Sequence, residues 1–338
     1  MADSQLYTHQ LDRAIQVSTN GDHTVILAED GQVYGFGYNN NGQLGTGDTI
    51  CRLRPVHIEM PEKVSAIATG SSHTATITES GRLYMFGSGY DGQLGTGNTE
   101  SQLRPMYVEL PEAVVAVAVG GSHTAVVTES GQLYTFGYNN AGQLGLGDYQ
   151  TRLQPTLVTL PSPAVTMTAG LHHTAVITES GELYTFGYNG SGQLGIGDTD
   201  GRSEPTLVEL PETVIAVSAG GSHTAVVTIS GQLYTFGSSR FGQLGTGNTR
   251  DHLRPVPIGI LEPVTVVSAS YVHTAVITES GQLYVFGRTT LRPVPIELPE
   301  PVVAVSSGSG GYTAVITESG QLYTMGRNYV PSWYNECQ

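Results

Sequence analysis

Lysine is nearly missing from this chain of 338 residues: Lys63 is the only one, where ordinary usage would supply roughly 20. Two origins stay open, namely selection against ubiquitin acceptor sites, as would suit a pathogen protein acting in a eukaryotic host cell, and descent of all repeats from one lysine-free ancestor. Tryptophan is reduced to Trp333, and cysteine to Cys51 and Cys337. Cysteines so far apart, outside any C-x-x-C, predict neither a disulfide framework nor a metal knuckle, and a reducing compartment, cytoplasmic or nuclear, is expected. Cys337 is second from the end and makes no prenylation box. The opening MADSQLYTHQLDRAIQ lacks a basic region followed by an apolar run, and no stretch is long enough to span a bilayer, so neither a signal peptide nor a membrane partner is expected. Positive charge is also scarce: 14 Lys and Arg against 29 Asp and Glu leave a net charge of −15. Such a surface repels phosphate backbones, and direct binding of nucleic acid is not expected.

What is present is apolar and periodic. Hydrophobic residues make up 39% of the chain, with 18 Tyr and 7 Phe, enough for a sizeable core. Histidines stand at 23, 73, 123, 173, 223 and 273, and GQLGxG begins at 42, 92, 142, 192 and 242, a repeat of 50 residues. After His273 the pattern shortens: Pro293 follows Gly287 by six residues, whereas Pro255 follows Gly237 by eighteen. Tyr312 then takes the histidine position, which makes seven repeats. Each reads as four short strands, as in 113–119, 123–128, 132–136 and 156–160, where β-branched and small residues alternate with period two. Glu-Ser-Gly between the second and third strands is hairpin chemistry, and Pro61, Pro111 and Pro211 break the chain before the next repeat. These features predict an all-β, seven-bladed β-propeller of four-stranded blades over 1–338 as a single domain, with the Val-, Ala- and Ser-rich strand innermost. Residues 5–11, 331–334, or both, are expected to complete the last blade.

The phrase G-x-x-HT-A-V-x-T-x-x-G-x-LY-x-FG…GQLG-x-G resembles the regulator of chromosome condensation repeat family, and the resemblance covers nearly the whole chain. It implies a seven-bladed propeller and relatives that act as guanine-nucleotide exchange factors for Ran-type small GTPases. Many members carry Trp where this chain has Phe36, Phe86, Phe136, Phe186, Phe236 and Phe286, so a tryptophan-based light sensor is not expected. A ubiquitin-ligase catalytic domain after the repeats and a basic tail for chromatin are not expected.

Several enzymatic readings fail on residue type. GQLGTGD at 42–48 lacks the Lys-Ser or Lys-Thr of a nucleotide loop, and it recurs. A zinc ion needs ligands about 2 Å away, which histidines on separate blades do not supply. No metal or cofactor is therefore expected, and His23, His73, His123, His173, His223, His273 and Tyr312 are read as structural, tying neighbouring backbone groups. Ser122 and His123 would point to opposite faces of one strand, which spoils a triad, and no unique carboxylate pair stands apart from the repeat. Catalytic residues are not identified, and enzyme activity is expected at most as nucleotide exchange.

Antiparallel strands send alternate connections to opposite ends of a blade. One end should gather Glu79, Glu129, Glu179, Glu279 and Glu318 with the connectors around Glu59, Glu62, Glu109, Glu112, Glu209, Glu212, Glu297 and Glu300, and should be acidic. The other carries the GQLGxG loops, where Arg52, Arg54, Arg104, Arg152, Arg202, Arg250 and Arg254 offset Asp48, Asp148, Asp198 and Asp251. A binding site on a symmetric scaffold is expected where repetition fails. Repeat five has SSRFG in place of YNNxG, and repeat six has Tyr271 before its histidine and lacks the long loop. Arg240, Phe241, Tyr271, Arg288 and Arg292 are the candidate protein-binding residues. Two functions stay open for this expected monomer: an exchange factor or regulator for a small GTPase, and a non-enzymatic scaffold or inhibitor docking one protein.

Overall fold

Repeats two to six each start with a short run such as Val114–Val119, whose β-branched residues favour a strand, and return through tight turns. In the computed structural model, which describes residues 13–288, 290–308 and 311–326 and the backbone of 7–9, the result is seven four-stranded antiparallel sheets. The third sheet is typical: Val114–Val119, His123–Thr128, Leu133–Gly137 and Arg152–Val158 pair in chain order. The outer strand therefore starts and ends before the expected 156–160, because the Arg-containing stretch ahead of Thr156 pairs with the third strand as far as Gly137. First strands pack on first strands all the way round, the first blade's against the seventh's, so they line the axis as expected.

Tyr7–His9 closes the ring. It pairs with Leu322–Met325 in the register Tyr7↔Thr324, Thr8↔Tyr323, His9↔Leu322, as outer strand of a blade whose other strands come from the far end of the chain. The alternative closing segment, 331–334, lies outside the described residues. Among the described residues no helix is long and apolar enough to cross a membrane. Cys51 departs from expectation: it is disulfide-bonded and not a free thiol.

Among the described residues, seven apolar cores lie between neighbouring blades. One gathers Val25, Leu27, Val33 and Ile58 of the first blade with Val64, Ile67 and Phe86 of the second. Phe86 is fully buried, and the left-handed Gly45 of the preceding GQLGxG loop lies so close that a Cβ there would sit 2.9 Å from the ring. The glycine-rich phrase thus lets one blade's loop close over the next blade's aromatic residue.

The axial strands are joined by hydroxyls. Ser18, Thr168, Ser218, Ser268 and Ser306 each accept a backbone N–H from the next blade, at 2.9–3.1 Å. Ala68 and Ala118 occupy the same position in blades two and three and cannot do so. Ala118→Ser therefore should stabilise the protein by about 0.5–1.5 kcal/mol, by giving the Ala169 N–H an acceptor. Urea unfolding checks this, and an unchanged or lower midpoint would contradict it.

Candidate functional site

The recurring histidines form a belt of interblade bonds. His23 Nε2 meets Thr74 Oγ1 at 2.9 Å, and the joint repeats from His73 to Thr124, His123 to Thr174, His173 to Thr224, His223 to Thr274 and His273 to Thr313. The first five threonines also donate to loop carbonyls, Thr174 to Gln143 O at 2.7 Å for example. A hydroxyl that spends its proton this way accepts from histidine, so Nε2 carries the ring proton. The partner is a threonine side chain and not, as expected from sequence, the backbone directly. Tyr312 completes the belt, its hydroxyl meeting Thr24 of blade one and Thr324, and burial raises its pKa to about 12. Burial also lowers the pKa of the first five histidines to about 3, and that of His273, beside Arg288, to about 4. They are neutral structural groups at pH 7.

The expected division of the two ends holds for the turns. Ser230 Oγ donates to Glu212 Oε2 at 2.5 Å and Ser280 Oγ to Glu262 Oε2 at 2.5 Å, which pins each Glu-Ser-Gly or equivalent turn to the connector before it. These serine hydroxyls hold both carboxylates below the ordinary glutamate range. Of the loop-face arginines, three pair with aspartates as expected and two need correction. Arg52, Arg152 and Arg202 fold back onto Asp48, Asp148 and Asp198 at 2.5–2.7 Å. Arg104 and Arg254 lie on outer strands and reach Glu59 and Glu209 of the preceding blade.

The loops of blades one, three and four share one architecture. Asn139 Oδ1 accepts the Leu144 N–H, its Nδ2 donates to Asp148 O and Gln150 O, and Asp148 binds Arg152. The Gln150 N–H, and then Arg152, hold Asp148 below the usual aspartate range. Tyr138 lies alongside, its hydroxyl accepting from Asn140 Nδ2 at 2.9 Å.

Blades two and five lack this arrangement: blade two has Ser88, Gly89, Asn98 and Gln102 at these four positions. In blade five the hydrogen bonds are also re-formed. Ser238 replaces the tyrosine, Ser239 the asparagine, Asn248 the aspartate and His252 the arginine. What remains is Asp251 Oδ1 accepting the Ser239 N–H at 2.7 Å and Ser239 Oγ donating to Asn248 O. Beside Ser238 lies an open hollow of ≈ 530 Å³, lined by Ser238, Arg240, Phe241, Thr249 and Asp251 of this loop, Ser191 of blade four and Tyr271 of blade six. Arg240 lies over the Phe241 ring at 5.8 Å. Tyr271 also reaches the axial cavity formed with Asn20, Ser71, Gly121, Leu171 and Gly221, so the hollow and the axis share a wall.

The fold thus brings Arg240, Phe241 and Tyr271 together and leaves Arg288 and Arg292 outside the lining. Arg288, the one non-glycine residue with positive φ (56°) among the described residues, packs on Gly311 of blade seven. Arg292 lies over Gly247 as Arg104 lies over Gly47, so it continues the repeat. Ser191 and Thr249 were missed, because each is unremarked in its own repeat.

Fold and loop arrangement define a seven-bladed propeller with an irregular hollow beside the blade-five loop. The RCC1-like domain model matches residues 3–292, and the chain belongs to that family. Human WBSCR16 superimposes with a TM-score of 0.82 at 22% identity, over 96% of this chain and 89% of that one. Prp20, the RCC1 of Saccharomyces cerevisiae, gives 0.80 at 21% identity over 92% of this chain and 82% of its own. That protein's structure is described together with its binding properties to Gsp1p and histones. Among curated proteins, 47 residues are 52% identical to the E3 ubiquitin-protein ligase MYCBP2 of Danio rerio and 38% identical to the ultraviolet-B receptor UVR8 of Arabidopsis thaliana. Those matches cover 1% and 11% of the two relatives' lengths and 14% of this chain.

Proposed function

We propose that this protein binds another protein through its loop face, with the hollow at Arg240, Phe241 and Tyr271 as the contact. The observation that carries this reading is the dismantled fifth loop. Blades one, three and four place a tyrosine at this loop position; blades two and five have serine there, and in blade five two aromatic residues and an arginine line the hollow beside it. Such side chains dominate binding energy at protein interfaces. The finer reading is that the partner is a Ran-type small GTPase whose nucleotide exchange this protein promotes or regulates. It is supported by family membership and by the fold shared with Prp20. An exchange factor needs no acid, base or metal: by binding the nucleotide-free GTPase more tightly than the loaded one, it lowers the barrier to GDP release.

Release of fluorescent GDP from purified small GTPases, Ran included, tests the finer reading. The expected result is acceleration of one GTPase at micromolar protein, lost in an Arg240→Ala/Phe241→Ala/Tyr271→Ala variant. Binding of a GTPase without acceleration would favour a scaffold or inhibitor, a reading supported by the near-identical geometry of the other long loops, none of which carries an inserted wedge.

A further inference from the structure

The opposite end of the propeller carries a second feature that the repeat builds seven times. Each axial strand contains a bulge one residue after its start, where pairing with the second strand skips a residue: Ala14 to Gln16, Val114 to Ala116, Val302 to Ala304 and their equivalents. A bulge re-aims the skipped side chain away from the sheet. The skipped residues are Ile15, Val115, Val165, Ile215 and Val303, with Ser65 and Thr265 in the other two blades. The five aliphatic ones are 48–55% exposed, although the residue before each is buried. Ser65 and Thr265 instead turn their hydroxyls back to carbonyls of the second strand. Because the axial strands ring the axis, these positions form an aliphatic collar around its acidic-end mouth.

Charge surrounds the collar. The residue that opens each of these turns bonds back to the residue just before its axial strand, Glu129 N–H to Ala113 O and Glu179 N–H to Pro163 O, so an exposed glutamate stands beside the bulge in six blades, and exposed Ile229 takes that place in blade five. Glu112 and Glu300 stand three residues ahead of Val115 and Val303. Of the basic groups at this end, Arg13 and Arg82 are paired with Glu29 and Glu62, and Lys63 is exposed ahead of the blade-two axial strand. Exposed aliphatic side chains held together by the fold mark a contact surface, and a carboxylate ring around them selects the sign of what docks.

We infer that this collar is a docking surface for a basic segment of a partner protein that carries aliphatic side chains among its lysines or arginines. The apolar side chains would enter the mouth and the cations would meet the glutamate ring. This site is independent of the hollow on the loop face.

The test uses the full chain and a synthetic peptide of interspersed leucine and lysine, compared with a serine–lysine peptide of equal charge. The leucine–lysine peptide is expected to bind about tenfold or more tightly than its serine counterpart, and to weaken as salt rises. A Val115→Ser/Val165→Ser/Ile215→Ser/Val303→Ser variant, which copies the serine already found at position 65, should lose about tenfold or more in affinity. Should that variant not fold, Glu129→Gln/Glu179→Gln supplies the second arm, with a reduced salt dependence expected. The Arg240→Ala/Phe241→Ala variant should bind the peptide as wild type does. Equal affinity for the two peptides, or an undiminished affinity in both collar variants, would overturn the inference.

Discussion

Acidification should unfold this protein near pH 5, before its carboxylates are largely protonated. The six buried histidines have folded pKa values of about 3, or about 4 for His273, against an ordinary 6.5. Between those values the unfolded chain binds more protons than the folded one, so stability falls as pH falls. The histidine contribution is fully present above about pH 6.5, and each group then costs about 1.4 kcal/mol per pH unit. At pH 5 that is about 2 kcal/mol per histidine and about 12 kcal/mol for the belt, comparable to the whole stability of a typical domain. The depressed carboxylates act in the same direction but lower, as pH drops through the ordinary aspartate and glutamate range. Circular dichroism followed from pH 8 to pH 3 reads the transition, and potentiometry reads the accompanying proton uptake. Native signal persisting at pH 4 would show that the imidazoles are not held neutral by burial.

The second large effect is expected from a change of nearly constant volume. Thr174→Val keeps the shape but removes both functions of the hydroxyl, leaving the His123 Nε2–H without its acceptor and Gln143 O without its donor. Each unsatisfied buried group costs about 1–3 kcal/mol, so a loss of about 2–6 kcal/mol is expected. Thr174→Ser retains the hydroxyl and should lose about 1 kcal/mol, the worth of a buried methyl group. Denaturant unfolding of the two variants separates hydrogen bonding from packing. Equal losses would mean that the belt contributes only packing.

Much of this architecture is written in the repeat itself. The 50-residue period, the hairpin Glu-Ser-Gly and the alternation in 113–119 define seven four-stranded blades, and the structure has them. The outer strand was misplaced because its Arg-rich start has no period-two apolar pattern; tertiary pairing with the third strand, not propensity, makes it a strand. The histidines were legible as structural, but their partners were not: the threonine one position after each belt residue bonds the histidine, or Tyr312, of the previous blade, a relation that exists only once the ring closes. At the candidate site, the SSRFG departure led to Arg240 and Phe241, whereas Arg292 misled because the shortened loop before it disguised an ordinary repeat position. The aliphatic collar has a sequence signal, a β-branched residue second in most axial strands, but a period-two reading takes it as one more alternating residue. Only the bulge turns it outward.

The central claim is that the repeated residues build the frame and that binding resides where blade five departs from it. Calorimetric titration of nucleotide-free Ran-type GTPase into three proteins tests it most directly: wild type, Arg240→Ala/Phe241→Ala, and the repeat-position control Arg104→Ala/Arg254→Ala. The account predicts binding by wild type and the control alike, with a loss of about 2 kcal/mol or more in the Arg240/Phe241 variant. Equal affinities for all three proteins, or no binding by wild type, would contradict it.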